Sequence, residues 1–267
     1  MGEGASIRHP PSGVKQGTRL GPRAGGPYKP RMQKALAMQG DTERADALDT
    51  AEARRRMVEG QLLPNRVTDP RLLAAMGEIP RERFLPDGYA ARAYVDEDVR
   101  LPGRRALIEP MVIARLLQLL SIRDGDRVLV VGAGTAYAAA VAVRCGARVI
   151  ALEADADLLA LARHALRGLA GPEALRLVEG PLQAGFPAGA PYDAILIEGE
   201  IPEIPESIAD QLAEGGRLAT VLAAAERGLS SRAVLGRRIA GSFSVTPAFD
   251  CATVPLPAFQ RQPGFVF

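Results

Sequence analysis

Four apolar residues in a row, Val128 to Val131, run into Gly132-Ala133-Gly134-Thr135-Ala136 and then into the alanine-rich stretch Tyr137 to Ala140. The apolar run reads as a strand buried on both faces, and the alanines after it favour a helix. A strand, a glycine turn and a helix start leave a chain few folds to choose from. The glycines let backbone approach a ligand closely, and the helix start offers free N–H groups to something polar or anionic. Taken alone, such a turn is also an ordinary strand-to-helix connection.

A second element narrows the choice. Arg148 to Glu153 is another apolar strand that ends in an acid. Glu153 lies about twenty residues past the glycines, where a carboxylate can accept hydrogen bonds from both hydroxyls of a ribose. The third position of the turn is Ala136, a small residue that both a dinucleotide site and an S-adenosylmethionine site tolerate.

The remaining periodicity fits a sheet covered on both faces. Leu175 to Glu179, Ala194 to Ile197 and Arg217 to Leu222 read as further strands, the last preceded by Gly215-Gly216. Helical patterns lie between them at Ala138 to Arg144, Asp155 to Leu169 and Pro205 to Leu212. Strands alternating with helices imply a mostly parallel α/β sheet, with ligand beyond the C-terminal strand ends. Ser231 to Val254 alternates and is expected to close the sheet as an antiparallel pair. Upstream, Ala51 to Leu63 predicts a helix with Thr50 as its N-cap, and Thr68-Asp69-Pro70 opens a second. Pro80 to Pro86 predicts a turn, Tyr89 to Tyr94 a short helix, and Asp96 to Leu107 an extended, charged segment.

Composition sets outer limits. The chain has 267 residues, 47% hydrophobic and 24% charged, enough for one catalytic-size core with an appendage. The first forty residues carry seven Lys and Arg against one acid, Glu3, a net +6; with +2 overall, the rest carries −4. Residues 1–45 are therefore expected to be a disordered basic tail ahead of an ordered domain over 46–267. The two cysteines, Cys145 and Cys251, lack metal spacing and suit a reducing, cytoplasmic setting. With only His9 and His164, a zinc site or a serine-histidine triad has little support. No metal, no membrane and no nucleic acid are expected as partners, and a monomer is.

Several short motifs, in order, resemble the protein-L-isoaspartate O-methyltransferase family. They are Met57 to Leu62, Ile79-Pro80-Arg81-Glu82-Arg83-Phe84-Leu85-Pro86, Ala93 to Asp96, the Val128 to Tyr137 stretch, Pro191 to Ile197, Ile204-Pro205-Glu206, Gln211-Leu212, Gly215 to Leu218 and Val254-Pro255-Leu256. The resemblance implies a class I S-adenosylmethionine-dependent methyltransferase with a Rossmann-like core over 111–267. Residues 46–110 would supply a helical part and the substrate loop. It implies a protein or peptide substrate and methylation of the free carboxylate of isoaspartyl residues. It places the cofactor on Gly132, Ala133, Gly134, Thr135 and Ala136, with Glu153 on the ribose, Ala154 beside it, and Gly180, Pro181 and Leu182 near the adenine.

Methyl transfer also suits a chain poor in histidine. A carboxylate acceptor has a reference pKa of about 4 and attacks a sulfonium methyl without a general base. The protein needs to align the reacting atoms and exclude water.

The chain departs from the family at several positions. Pro181 and Val130 replace acids expected near the cofactor. In the substrate loop, Ala106-Leu107-Ile108-Glu109-Pro110 aligns with the family's Thr-Ile-Ser motif, at the family's spacing from Asp96, so the serine position is Ile108. Glu109 adds an acid beside it, Glu198 adds another after the fourth core strand, and Ala252 replaces an arginine. Like charges about 4 Å apart repel by roughly 1 kcal/mol in water and more in a dry cleft. These changes predict weaker binding of a free carboxylate, and a gain in isoaspartyl activity from Ile108→Ser.

Three readings follow: isoaspartyl repair with altered donors, a methyltransferase with another acceptor, and a cofactor-binding module without transfer. A nicotinamide dehydrogenase is a distant fourth. The transferase assignment as a whole requires an open space between Glu153 and the glycine turn.

Overall fold

The computed structural model describes residues 49–224 and 230–260. The expectations for the first forty-odd residues, the basic tail and His9 among them, lie outside these. A seven-stranded sheet runs in the order β5-β4-β3-β6-β7-β8-β9. Its strands are β3 (Arg127–Val131), β4 (Arg148–Glu153), β5 (Leu175–Glu179), β6 (Tyr192–Ile201), β7 (Leu212–Leu222), β8 (Arg232–Ile239) and β9 (Ser242–Asp250). Pairing is parallel from β5 across to β7 and antiparallel from β7 to β9. The sheet therefore matches the expected mostly parallel core and closing antiparallel pair.

Side chains on the central strands alternate between two cores, as a pleat requires. Val128 and Val130 of β3 and Ala194 and Leu196 of β6 face one core, shared with Ile113, Ala138 and Leu158. Leu129, Val131, Ile195 and Ile197 face the other. The first face carries α3 (Pro110–Leu120), α4 (Tyr137–Arg144) and α5 (Ala156–Ala165). The second is covered more thinly, by α6 (Glu206–Ala209), Leu182, Leu256 and Phe259. Strand order reverses around β3, which has β4 on one side and β6 on the other, so a cleft opens at their C-terminal ends.

Ahead of the sheet, α1 (residues 49–57) widens into the π-helical segment Val58–Leu62, and α2 (Pro70–Glu78) follows. Asp69 caps α2 by accepting from Arg71 N. Thr50 already lies within α1, so it does not cap it. The helix expected over Pro205 to Leu212 is only four residues long, because Leu212 already pairs with Tyr192 as the start of β7.

Two elements escaped the sequence reading. Pro110–Leu120 is a helix with Pro at its first position, where a missing N–H costs nothing. The segment expected to be simply extended is a hairpin, β1 (Val99–Leu101) against β2 (Arg105–Leu107), turning through Pro102–Arg104. Gly103 and Arg104 both take positive φ there, 67° and 59°.

The hairpin's end fixes Ile108. Its side chain is 1% exposed within the first core, and its carbonyl accepts from Arg81 Nη2 at 2.5 Å. Arg81 is itself fully buried and also donates to Ala93 O. Residue 108 thus packs into the protein instead of meeting a ligand, which overturns the expected gain from a serine there. Ile108→Ser removes buried apolar volume and adds an unpartnered hydroxyl, so it is expected to destabilise the fold by about 3–5 kcal/mol, read as a lower urea midpoint, with no rise in activity.

Candidate active site

The glycine turn forms where β3 leaves the sheet. Gly132, Gly134 and Ala136 all have positive φ, 72°, 55° and 68°. That conformation suits the glycines and strains the alanine by about 1–2 kcal/mol. The turn is pinned to β4: Gly132 N and Ala133 N both donate to Leu152 O, at 2.9 and 3.1 Å. Thr135 is buried and its hydroxyl oxygen has no partner among the described residues.

Glu153 ends β4 facing that turn and is 1% exposed. Its Oε2 accepts from Gly134 N at 2.7 Å, and its Oε1 from Ala154 N at 2.8 Å and Asp155 N at 3.2 Å. Asp155 turns the other way and caps α5 through Asp157 N and Leu158 N. The acid that sequence spacing singled out is therefore oriented by the backbone of the turn and of the following helix start.

The space in front of it is filled. Arg105 Nη1 lies 2.8 Å from each oxygen of Glu153, and its Nη2 donates to Gly132 O at 2.5 Å. Both side chains are buried, 7% and 1% exposed. A carboxylate offers about four lone-pair sites, and these five contacts use them all. Leu256 closes the neighbouring strand end: a methyl group on Gly199 would meet its Cγ at 2.5 Å. The open space that the transferase assignment required is thus occupied by Arg105 and Leu256. No sequence signal paired residues 48 apart.

Two cavities flank Arg105. One, of 230 Å³, is lined by Gly103, Glu153, Ala154, Asp155 and Leu182 as well as Arg105. It brings Glu153, Ala154 and Leu182 together in one wall. Gly180 lies close behind, its N donating to Glu153 O at 3.1 Å, whereas Pro181 is exposed and outside that lining. The other cavity, of 320 Å³, lies between the hairpin and the C-terminal segment, with Arg100, Arg104, Val254 and Pro255 in its wall.

Asp98, which sequence reading passed over, buckles the hairpin to that segment. One carboxylate oxygen accepts from Glu109 N at 2.8 Å and the other from Thr253 Oγ1 and Val254 N, at 2.6 and 3.1 Å. Asp96 is exposed, and Ala252 is too. Glu109 is half-buried at the head of α3; burial first, then Asp96 and Asp98, push its carboxyl up to about 7. Glu198 is buried in β6, just past the last residue that pairs with β3, and its Oε2 has no partner among the described residues. Burial pushes it up to about 8, with Arg105 and Arg81 pulling the other way. At neutral pH Glu198 is mostly protonated and Glu109 about half so. The repulsion expected from these two acids is correspondingly weakened. Among the described residues, no three His, Cys, Asp or Glu gather as metal ligands, and no helix is long and apolar enough to cross a membrane.

The family model described as protein-L-isoaspartate(D-aspartate) O-methyltransferase matches residues 53–260. A protein-L-isoaspartate O-methyltransferase of Methylorubrum populi is 43% identical over 169 residues, covering 63% of this chain and 79% of its own. One from Koribacter versatilis is 37% identical over 210 residues, 79% of this chain and 91% of its own. A Plasmodium falciparum structure, described as a putative member in complex with S-adenosyl-L-homocysteine, superposes with a TM-score of 0.65 at 20% identity. The match covers 77% of this chain and 98% of that one. At that identity the likeness speaks to the fold.

The Glu198 carboxyl sets a stability profile. Below its ordinary value of 4.5 it is protonated in folded and unfolded chains alike. Between 4.5 and about 8 only the unfolded chain releases the proton, so stability is lost as pH rises, and above 8 the loss is complete. Urea titrations of Glu198→Gln and wild type are expected to diverge in the variant's favour by on the order of 4 kcal/mol between pH 4 and pH 8.5.

Proposed function

This chain belongs to the protein-L-isoaspartate(D-aspartate) O-methyltransferase family, and on that premise we propose that it transfers methyl from S-adenosylmethionine to the free carboxylate of isoaspartyl residues in damaged proteins. The observation that carries the proposal is Glu153: a buried acid at the end of β4, facing the Gly132–Gly134 turn and sharing a cavity with Leu182. The reading places the enzyme in the cytoplasm as a monomer, in keeping with two unpaired thiols at Cys145 and Cys251.

The residues present fit the cofactor with one condition. Glu153 is preset by three backbone N–H groups for a diol, and the unpartnered Thr135 hydroxyl is buried in the same turn. The condition is that Arg105 leaves, since its guanidinium stands on both oxygens that a ribose would use. Once bound, the cofactor supplies an electrophilic methyl group. The chain's own part is orientation and exclusion of water. Asp98 holds the hairpin against the C-terminal segment, and Leu256, 1% exposed, seals the strand ends. The acceptor carboxylate is ionised at neutral pH and needs no base. A protonated Glu198 leaves that carboxylate unopposed from β6.

A second reading, cofactor binding without transfer or no binding at all, draws on Arg105 standing in the sugar's place. Calorimetry with S-adenosylhomocysteine and release of tritiated methyl to an isoaspartyl peptide separate the two. Transfer supports the proposal; folded protein that neither binds nor transfers refutes it. Glu153→Ala is expected to weaken S-adenosylhomocysteine roughly tenfold or more, because charge-assisted hydrogen bonds are lost. It also strands the Arg105 guanidinium, so a drop in stability of about 3–5 kcal/mol is expected in the same variant.

A further inference from the structure

The 320 Å³ cavity beside the cofactor cleft is walled by Arg100, Arg104 and Arg105 on the hairpin and by Val254, Pro255 and Gln260 on the C-terminal segment. Among the described residues, no carboxylate lines it. Arg100 and Arg104 are exposed and have no acidic partner among the described residues. Arg104 projects from a left-handed backbone position, φ 59°. Strain of this kind costs about 1–3 kcal/mol and clusters at ligand sites. Arg105 belongs to both cavities, so it is the wall between them.

We propose that this cavity is an anion site that receives the carboxylate of the acceptor peptide, and that Arg105 exchanges between that carboxylate and Glu153. The proposal rests on the isoaspartyl methyltransferase reading for the identity of the anion. Its physics is competition at both ends of one ion pair. A ribose diol competes with Arg105 for the oxygens of Glu153. An acceptor carboxylate competes with Glu153 for the guanidinium of Arg105. Drawing a buried cation from its carboxylate is costly unless another anion meets it, and the arginine-lined cavity is where that anion is found. Each ligand thus releases the group the other needs, and the two bind with positive coupling. Linkage makes the coupling reciprocal: cofactor tightens peptide by the same factor that peptide tightens cofactor. The site also replaces what the substrate loop lacks. Ile108 provides no donor and Ala252 no cation, yet three guanidiniums stand within the same hairpin.

The experiment uses the full chain, S-adenosylhomocysteine, and a short isoaspartyl peptide beside its asparagine counterpart. No methyl is transferred, so binding alone is read. In wild type, saturating isoaspartyl peptide is expected to lower the S-adenosylhomocysteine Kd by about fivefold or more, and the asparagine peptide to leave it unchanged. Arg105→Gln is expected to bind S-adenosylhomocysteine more tightly than wild type without peptide, and to show no further gain with it. A Kd in wild type that ignores the peptide, or coupling that survives in Arg105→Gln, overturns the exchange. Arg100→Ala/Arg104→Ala alters exposed positions only and guards against misfolding of the buried variant. It is expected to weaken the isoaspartyl peptide tenfold or more in fluorescence anisotropy without cofactor; unchanged peptide affinity overturns the anion site. Folded wild type and Arg105→Gln that both fail to bind S-adenosylhomocysteine refute the methyltransferase reading and the exchange with it. The anisotropy arm then still decides the anion site.

Discussion

The contact between Arg105 and Glu153 joins every part of the cleft. It ties β2 of the hairpin to the end of β4, and through Gly132 O it reaches the end of β3 as well. Three pieces of chain remote in sequence therefore share one buried cation. Two charges taken out of water repay the desolvation only with good geometry and with their other hydrogen-bonding capacity filled. Glu153 meets that condition, with three backbone donors besides the guanidinium. Arg105 does not, because its Nε has no partner among the described residues. The pair is thus held more firmly at its acidic end. If one member moves, it is the arginine, whose hairpin carries two consecutive left-handed residues at its tip.

The same asymmetry explains which parts of the site were legible in the sequence. Val128 to Val131, the glycine turn and Glu153 follow from rules of short range: a buried strand is apolar, a tight turn needs positive φ, and strand-to-strand spacing in a βαβ unit is narrow. The strands at Arg148–Glu153 and Leu175–Glu179 fell where the pattern placed them, residue for residue. The parallel order followed from alternation alone. Arg105, Asp98 and the buried state of Ile108 did not, since each is decided by partners far away in the chain. Arg105 meets an acid 48 residues on, Asp98 meets Val254 across 156 residues, and Ile108 is held through Arg81, 27 residues before it. Local pattern carries no register for such pairs. The helix Pro110–Leu120 was missed for a different reason. Its apolar residues are so frequent that a helical period is hard to separate from an unbroken apolar run.

Charge at the site also reads differently in three dimensions. Listed along the chain, Glu109 and Glu198 are acids and predict repulsion of a carboxylate. Folded, each is raised towards or above neutrality by burial. Among the described residues, the charged groups lining the larger cavity are guanidiniums. A residue's formal sign is a property of the amino acid, whereas its charge at a site is a property of how much water the fold leaves around it.

That distinction bears on what happens when Arg105 moves. Around the ends of β4 and β6 lie two cations, Arg81 and Arg105, and three acids, Asp98, Glu153 and Glu198, linked electrostatically at Glu198. With Glu198 protonated, the formal charges of the five groups sum to zero. Arg105 is the strongest of the influences holding the Glu198 value down. Its departure raises that value further, so Glu198 keeps its proton more firmly when the cation is gone. The cluster then carries one negative charge, on Glu153 or Asp98, both of which are bonded to backbone N–H groups. The shift that uncovers the ribose-facing acid therefore does not uncover a second one at the neighbouring strand end, and a carboxylate can approach that end without meeting another.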